Sequence, residues 1–281
     1  MLTAKPIVTK DFLWEMNYTF TKNKSNVDKV NNDSGKVLIE DSYGVSFYAE
    51  EGKPIGSFYA PGMTYTNEGN VIADKSTGYY YDDGEEHYAG TSQRDFVMGL
   101  QNNIRFKNFR LAFSFDWKQG GEMYSYTKRL SHFVGNGIET TYNDRNPWII
   151  PNSVVANGMD DDGNTVYDEN TIPVDFDSVT AFYNGGENPV IQGTHVIDKT
   201  FIRMRDLSLS YAFPKGIVEK LDLSNLTFSV YGKNLFLWTP AENPYTDPET
   251  TTYGRGISSE FGEFATNPSQ RTYGASVKLS F

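Results

Sequence analysis

Hydrophobic and polar residues alternate strictly in a few stretches of this chain, separated by long stretches where they do not. The last eleven residues read RTYGASVKLSF. Tyr273, Ala275, Val277, Leu279 and Phe281 fall on one face of an extended strand, and Thr272, Gly274, Ser276, Lys278 and Ser280 on the other. Phe12, Trp14, Met16, Tyr18 and Phe20 keep the same period opposite Glu15, Asn17 and Thr19. From Arg94 to Phe106 the apolar face carries Phe96, Met98, Leu100, Ile104 and Phe106, with Asn102 as a polar intrusion. After Lys107-Asn108, Phe109, Leu111, Phe113, Phe115 and Trp117 oppose Arg110, Ala112, Ser114, Asp116 and Lys118, so the two runs predict a hairpin. Leu207, Leu209, Tyr211 and Phe213 alternate in another strand, and 226–238 forms a further one whose phase change near Lys233-Asn234 predicts a bulge. With the short apolar opening MLTAKPIV, closed by a turn at Thr9-Lys10-Asp11, the strands number seven.

Between them lie 21–93, 119–200 and 239–269, rich in Gly, Asn, Asp, Ser and Pro, which read as long loops; fragments such as Gly56–Ala60 read as short strands within them. The connections therefore alternate short and long. A soluble sandwich shows no such asymmetry, whereas an outer-membrane barrel has short periplasmic turns and long extracellular loops. The expectation is an all-β fold: an antiparallel transmembrane β-barrel segment of about seven strands. Single-chain bacterial barrels use an even number of at least about eight, and an open sheet cannot sit in lipid with unmet edges. The seven strands are therefore expected to be part of a larger barrel.

Composition narrows the partners. A net charge of −11 argues against a nucleic-acid partner, whose phosphates need a basic surface. Tyr and Phe number 19 each, which suits an aromatic-girdled barrel or a carbohydrate-binding sandwich. With no cysteine there is neither a disulfide framework nor a thiolate metal site. Residues 1–15 show no basic region followed by an apolar core, so no signal peptide is read there.

No catalytic constellation emerges, and the expectation is that the chain is not an enzyme and holds no metal or cofactor. His87, His132 and His195 all fall in irregular stretches without metal-ligand spacing and read as solvated loop residues. Asp160-Asp161-Asp162-Gly163-Asn164 with Glu169 partly matches a calcium loop, but Gly158 stands at the first ligand position, so a solvated acidic turn is preferred. Gly254-Arg255-Gly256 and Gly135-Asn136-Gly137 lack the third glycine of a dinucleotide site. Trp14, Trp117 and Trp238 at strand ends fit an interfacial girdle better than sugar stacking. Arg105, Arg110, Lys118 and Lys278 either line a solute path or pair with Asp116 and Glu15.

Several stretches resemble the C-terminal part of SusC/RagA-type TonB-dependent outer-membrane transporters of the Bacteroidota. They are KPIVTKDFLWEMNYTFTKNKSNV, QRDFVMGLQNNIRFKNFRLAFSFDWKQGGEMY, FIRMRDLSLSYAFP with LSNLTFSVYGKNLFLWT, NPYTDPE and RTYGASVKLSF. The resemblance spans nearly all of 1–281. It implies the C-terminal part of a barrel of about 22 strands, with plug domain, TonB-contacting segment and signal peptide absent from this stretch. It also implies uptake of an oligosaccharide or peptide beneath a SusD-like surface lipoprotein, powered by the TonB-ExbB-ExbD complex. Phe281 resembles the terminal signal read by the barrel-assembly machinery. The competing expectation is a secreted, soluble carbohydrate-binding or adhesin β-sandwich.

Overall fold

The computed structural model describes residues 1–174 and 179–281. Seven strands form one open antiparallel sheet in sequence order: β1 (Leu2–Val8), β2 (Phe12–Thr21), β3 (Phe96–Phe106), β4 (Phe109–Gln119), β5 (Phe201–Ala212), β6 (Asn225–Trp238) and β7 (Thr272–Ser280). All seven strands expected from the sequence are here. Strands β1 and β7 are the two edges, and among the described residues neither edge pairs further.

Register decides which side chains share a face, because residues directly opposite each other point the same way. Phe12, Phe106, Phe109, Tyr211, Phe228 and Val277 form one row across six strands. Two residues further along each strand, Trp14, Ile104, Leu111, Leu209, Val230 and Ala275 form the next. The series ends on Phe20, Met98, Trp117, Ile202 and Trp238. The opposite face carries rows such as Asn17, Gln101, Ser114, Asp206, Lys233 and Thr272. From the first apolar row to the last is eight residues, about 27 Å along a strand and about 20 Å along the normal for strands tilted by ~40°. That is close to the apolar band of an outer-membrane barrel, about 25 Å tall.

Nothing described in this chain covers that face. Phe106, Phe228, Phe236, Trp238 and Val277 are 43–60% exposed. Neither hydrophobic core contains a residue of the seven-stranded sheet. The predicted bulge is present. Strand β5 carries Arg205 as an extra residue against β4, and β6 shifts register against β5 at Asn234-Leu235, with Asn234 at φ 53°. Asn102, the polar intrusion, is buried and accepts a hydrogen bond from the Trp14 indole at 2.9 Å. Trp14 thus sits one row inside the end of the band and satisfies a polar group there, instead of anchoring at a strand end.

The long loops correct the expectation most. They fold. Lys36–Ser42, Val45–Glu50, Ser57–Ala60 and His87–Thr91 make a four-stranded antiparallel sheet from the first. Val71–Ala73 adds in parallel to the hairpin Ser153–Met159/Thr165–Glu169 of the second. Glu122–Ser125 of the second pairs with Val196–Asp198 on one side and with Gly262–Glu263 of the third on the other. The cores are here too. Val45, Phe47, Phe58 and Ala60 pack with Tyr124 and Phe261, drawing on all three loops. Tyr79 packs with Ile150, Val174, Phe182, Tyr183 and Ile191. These strands are short, and Ser57–Ala60 is buried at all four positions, so it shows no period of two. The chain is therefore an apolar-faced wall with one folded body at its long-loop end.

Candidate functional site

One polar feature lies where the wall meets that body and a second lies within the body. The first rests on the inner face of the sheet. Beyond the bulge, β5 presents Arg203, buried, and Arg205, half-buried, towards the third loop. Asp247 and Glu249 of NPYTDPE meet them. Arg203 is hydrogen-bonded to Asp247, and its Nη1 lies 3.2 Å from Glu249 Oε2. Arg205 reaches Glu249 and Asp116 at 2.6 Å each, and Lys118 Nζ reaches Glu249 at 2.6 Å. The buried Phe201 ring lies within 6.0 Å of the cationic groups of Arg94, Lys118, Arg203 and Arg205. Burial pushes the Glu249 carboxyl up, but the hydrogen bonds from Arg205 and Lys118 outweigh it and hold it at about 2. Alongside, Lys199 pairs with Glu260 at 2.6 Å, while burial lowers its ammonium to about 8.

The second feature is an aromatic cleft of about 570 Å³ within the folded loops. It is built on helix α1 (Tyr126–Phe133). Ser125 caps α1 by accepting from Lys128 N at 3.1 Å. Buried Glu263 sits at the same end, accepting from Ser125 Oγ at 2.7 Å and from Thr127 N at 2.9 Å, where a carboxylate meets the free amides and positive end of the helix. Lys128 and His132, four residues apart, project from one face of α1 into the cleft. Gly135, at φ 76°, ends the helix. Gly137 must lack a side chain, since a Cβ there would come within 2.6 Å of the His132 ring. The glycines at 135 and 137 thus terminate a helix and admit an imidazole.

Tyr80, Tyr142, Trp148, Phe182 and Tyr183 line the apolar side of the cleft. Trp148 meets Tyr142 and Phe182 edge-on, at 4.9 and 5.2 Å between ring centres. Glu139 is the accessible carboxylate. Tyr245 donates to it, His132 Nε2 lies 3.2 Å from it and Lys128 Nζ 3.9 Å. Burial acts to raise its pKa, but Tyr245 and the His132 contact hold it below the ordinary value. Burial pushes Lys128 down against the pull of Glu139. Burial also lowers His132, and lowers His195 well below the usual imidazole range, with His132 and Lys128 adding to the effect on His195. Both imidazoles are neutral near pH 7.

The histidines therefore correct the sequence reading. His132 and His195 are buried beside each other, 5.3 Å between ring centres, and His87 opens a strand and lies 3.0 Å from Asp83. His132 and His195 lie 63 residues apart, so spacing along the chain could not reveal that contact, whereas Asp83 stands only four residues before His87. Asp160 closes the tip of the hairpin Ser153–Met159/Thr165–Glu169 by accepting from the amides of Asp162 and Asn164 at 3.0 and 2.8 Å, as an acidic turn does. Glu169 sits at the far end of that hairpin, opposite Val154. Neither carboxylate weighed for the inner-face cations meets them: Glu15 pairs with Lys5 at 2.9 Å and Asp116 with Arg205. Arg105 and Arg110 face each other across β3 and β4. Lys278 lies opposite Thr227, on the inner face. Trp117 and Trp238 occupy the last apolar row, next to the loops. Phe281 is 93% exposed.

Arg203, Arg205, Asp247, Glu249, Lys128 and Glu139 are functional groups that periodicity and motif do not single out in the sequence. A signal existed for the first four. FIRMRD places two arginines two apart, on one face of a regular strand, while NPYTDPE offers two carboxylates at the same spacing.

Comparison with known proteins agrees with the resemblance carried by these segments. No protein-family profile matches the chain. TonB-dependent receptor P3 of Formosa agariphila is 24% identical over 308 aligned residues, covering all of this chain and 28% of the receptor. TonB-dependent receptor SusC of Bacteroides thetaiotaomicron is 30% identical over 125 residues, covering 40% of this chain and 12% of SusC. The structure of the RagAB peptide transporter superposes on 99% of this chain, and 28% of the solved one, with a TM-score of 0.65 at 16% identity. The chain spans no more than 28% of the length of these relatives.

Proposed function

We propose that this chain, a stretch of a TonB-dependent receptor of the SusC/RagA type, is part of the wall and extracellular mouth of an outer-membrane importer for an oligosaccharide or peptide. The observation that carries the reading is the seven-stranded sheet with one apolar face, interrupted by Asn102, uncovered by the chain and polar behind. Lipid is the medium that matches such a face. The remaining staves of the barrel would pair with the free edges of β1 and β7, and the plug and TonB-contacting segment would belong to the rest of the receptor. The folded loops, all at one end of the sheet, would meet a SusD-like lipoprotein and the incoming nutrient. In this reading TonB with ExbB and ExbD, energised at the inner membrane, would be the energy source.

In cells carrying the intact gene, the protein is expected in the outer-membrane fraction. Fluorescently labelled oligosaccharide or peptide should accumulate only when the gene is present and the inner-membrane proton gradient is intact. Recovery of the protein as a soluble secreted species, or uptake indifferent to gene and gradient, would sink the proposal. Phe281, exposed beyond the end of β7, is the residue for the assembly machinery to read. Its deletion should lower the amount reaching the outer membrane while total synthesis is unchanged, as measured by immunoblot of cell fractions. Equal amounts would remove that role.

A further inference from the structure

The aromatic cleft holds more polar groups than its own packing uses. His132 is 2% exposed and lines the cleft; its Nδ1 has no partner among the described residues, and its Nε2 lies 3.2 Å from Glu139 without hydrogen-bond geometry. Lys128, 8% exposed, is hydrogen-bonded through its ammonium to Thr194 O at 2.9 Å, which leaves further N–H donors. Buried polar groups are normally satisfied, so an unpartnered one aimed into a cavity points to something that enters. The lip of the cleft is strained as well. Asn143, Asp144 and Arg145, directly after Tyr142, are three successive residues with side chains in the left-handed region, at φ 50°, 52° and 63°. Such strain collects at ligand clamps.

We propose that this cleft is a binding subsite for a neutral saccharide, its ring stacked against Tyr142 and Trp148 and its hydroxyls bonded to Glu139, Lys128 and His132. The assignment rests on the import reading and specifies what is recognised there. A cleft of about 570 Å³ lies in the size range of small-ligand sites. Its walls bring together an acceptor, Glu139, a donor, Lys128, and a neutral imidazole that does both. A sugar hydroxyl both donates and accepts, and the C–H face of the ring suits an aromatic wall. Lys128 and Glu139 balance in charge, leaving no surplus for a charged ligand, and a chain at −11 repels an acidic one. Recognition of an extended peptide by strand addition needs an exposed strand edge. Here Lys128 and His132 come from α1, and Glu139 and Tyr142 from the turns that follow it, which present side chains.

The test uses the purified full-length receptor in detergent. The probes are neutral hexasaccharides of glucose, mannose, xylose or galactose, and a pool of dodecapeptides, followed by calorimetry and tryptophan fluorescence. At least one hexasaccharide should bind saturably and change the fluorescence. Tyr142→Ala, at the exposed lip where folding bears little on it, and the isosteric Glu139→Gln should each weaken binding by about tenfold or more. Absence of saccharide binding, or binding unchanged in both variants, overturns the assignment. Peptide binding lost in both variants would overturn the saccharide assignment and leave the import reading standing. Import itself fails only on location and gene-dependent uptake, which these variants do not address.

Discussion

Leu207→Arg is expected to destabilise the protein in the membrane by about 2–4 kcal/mol and to deplete it from the outer-membrane fraction, while Ser208→Arg changes both little. The two residues are neighbours on β5, and only the face differs. Leu207 lies in the middle apolar row, with Met16, Asn102, Phe113 and Tyr273 in the same row, about 13 Å along the strands from either end of the band. An arginine there has no headgroup within reach. Ser208 lies on the inner face between Ala112 and Tyr231, where a long cation stays wet. The measurement is urea-driven folding of the full-length receptor into bilayers, together with its amount in fractionated cells. Equal losses at the two positions would mean that lipid does not cover the Leu207 face.

The wall was readable because its physics is local. A strand with lipid on one side and water on the other must alternate, so Phe106 and Phe109, Leu209 and Val230, and even the slip at Asn234 are visible in the sequence. The folded loops were not. Phe47, Tyr124 and Phe261 come from three loops and meet only in three dimensions, and the fully buried Ser57–Ala60 leaves no period. The cleft was hidden for the same reason. Glu139 lies 106 residues from Tyr245, which donates to it, and Lys128 lies 66 residues from Thr194, so spacing could not have signalled either contact. In the sequence the glycines at 135 and 137 suggest only an incomplete nucleotide motif, whereas their work is to end α1 and make room for His132. NPYTDPE was recognisable as a motif, and its role follows once Asp247 and Glu249 are set against Arg203 and Arg205.

Asp247→Ala should have the other large effect. Arg203 is 5% exposed, and a buried guanidinium robbed of its partner typically costs about 3–5 kcal/mol. Glu249 remains within 3.2 Å of Arg203, so the loss should fall towards the lower figure, and removing both carboxylates should exceed either single change. By contrast, Glu15→Gln breaks only the exposed pair with Lys5 and should cost no more than about 1 kcal/mol. Thermal unfolding of the full-length receptor compares the three, and protease cutting within 239–271 reports whether the loop has come away from the sheet. Acid should act on the same contact. The Glu249 carboxyl is held at about 2 in the fold against an ordinary 4.5. A lowered pKa contributes stability that is fully present above the ordinary value and fades as the pH falls from about 4.5 towards 2. Loop cleavage should therefore rise across that window in the native receptor, and Glu249→Gln should show the raised cleavage already at pH 7, with little further change on acidification. A variant that kept the native acid profile would show that Glu249 is not what fastens the third loop to the wall, and the convergence of three cations on one carboxylate would then have to serve the lumen instead.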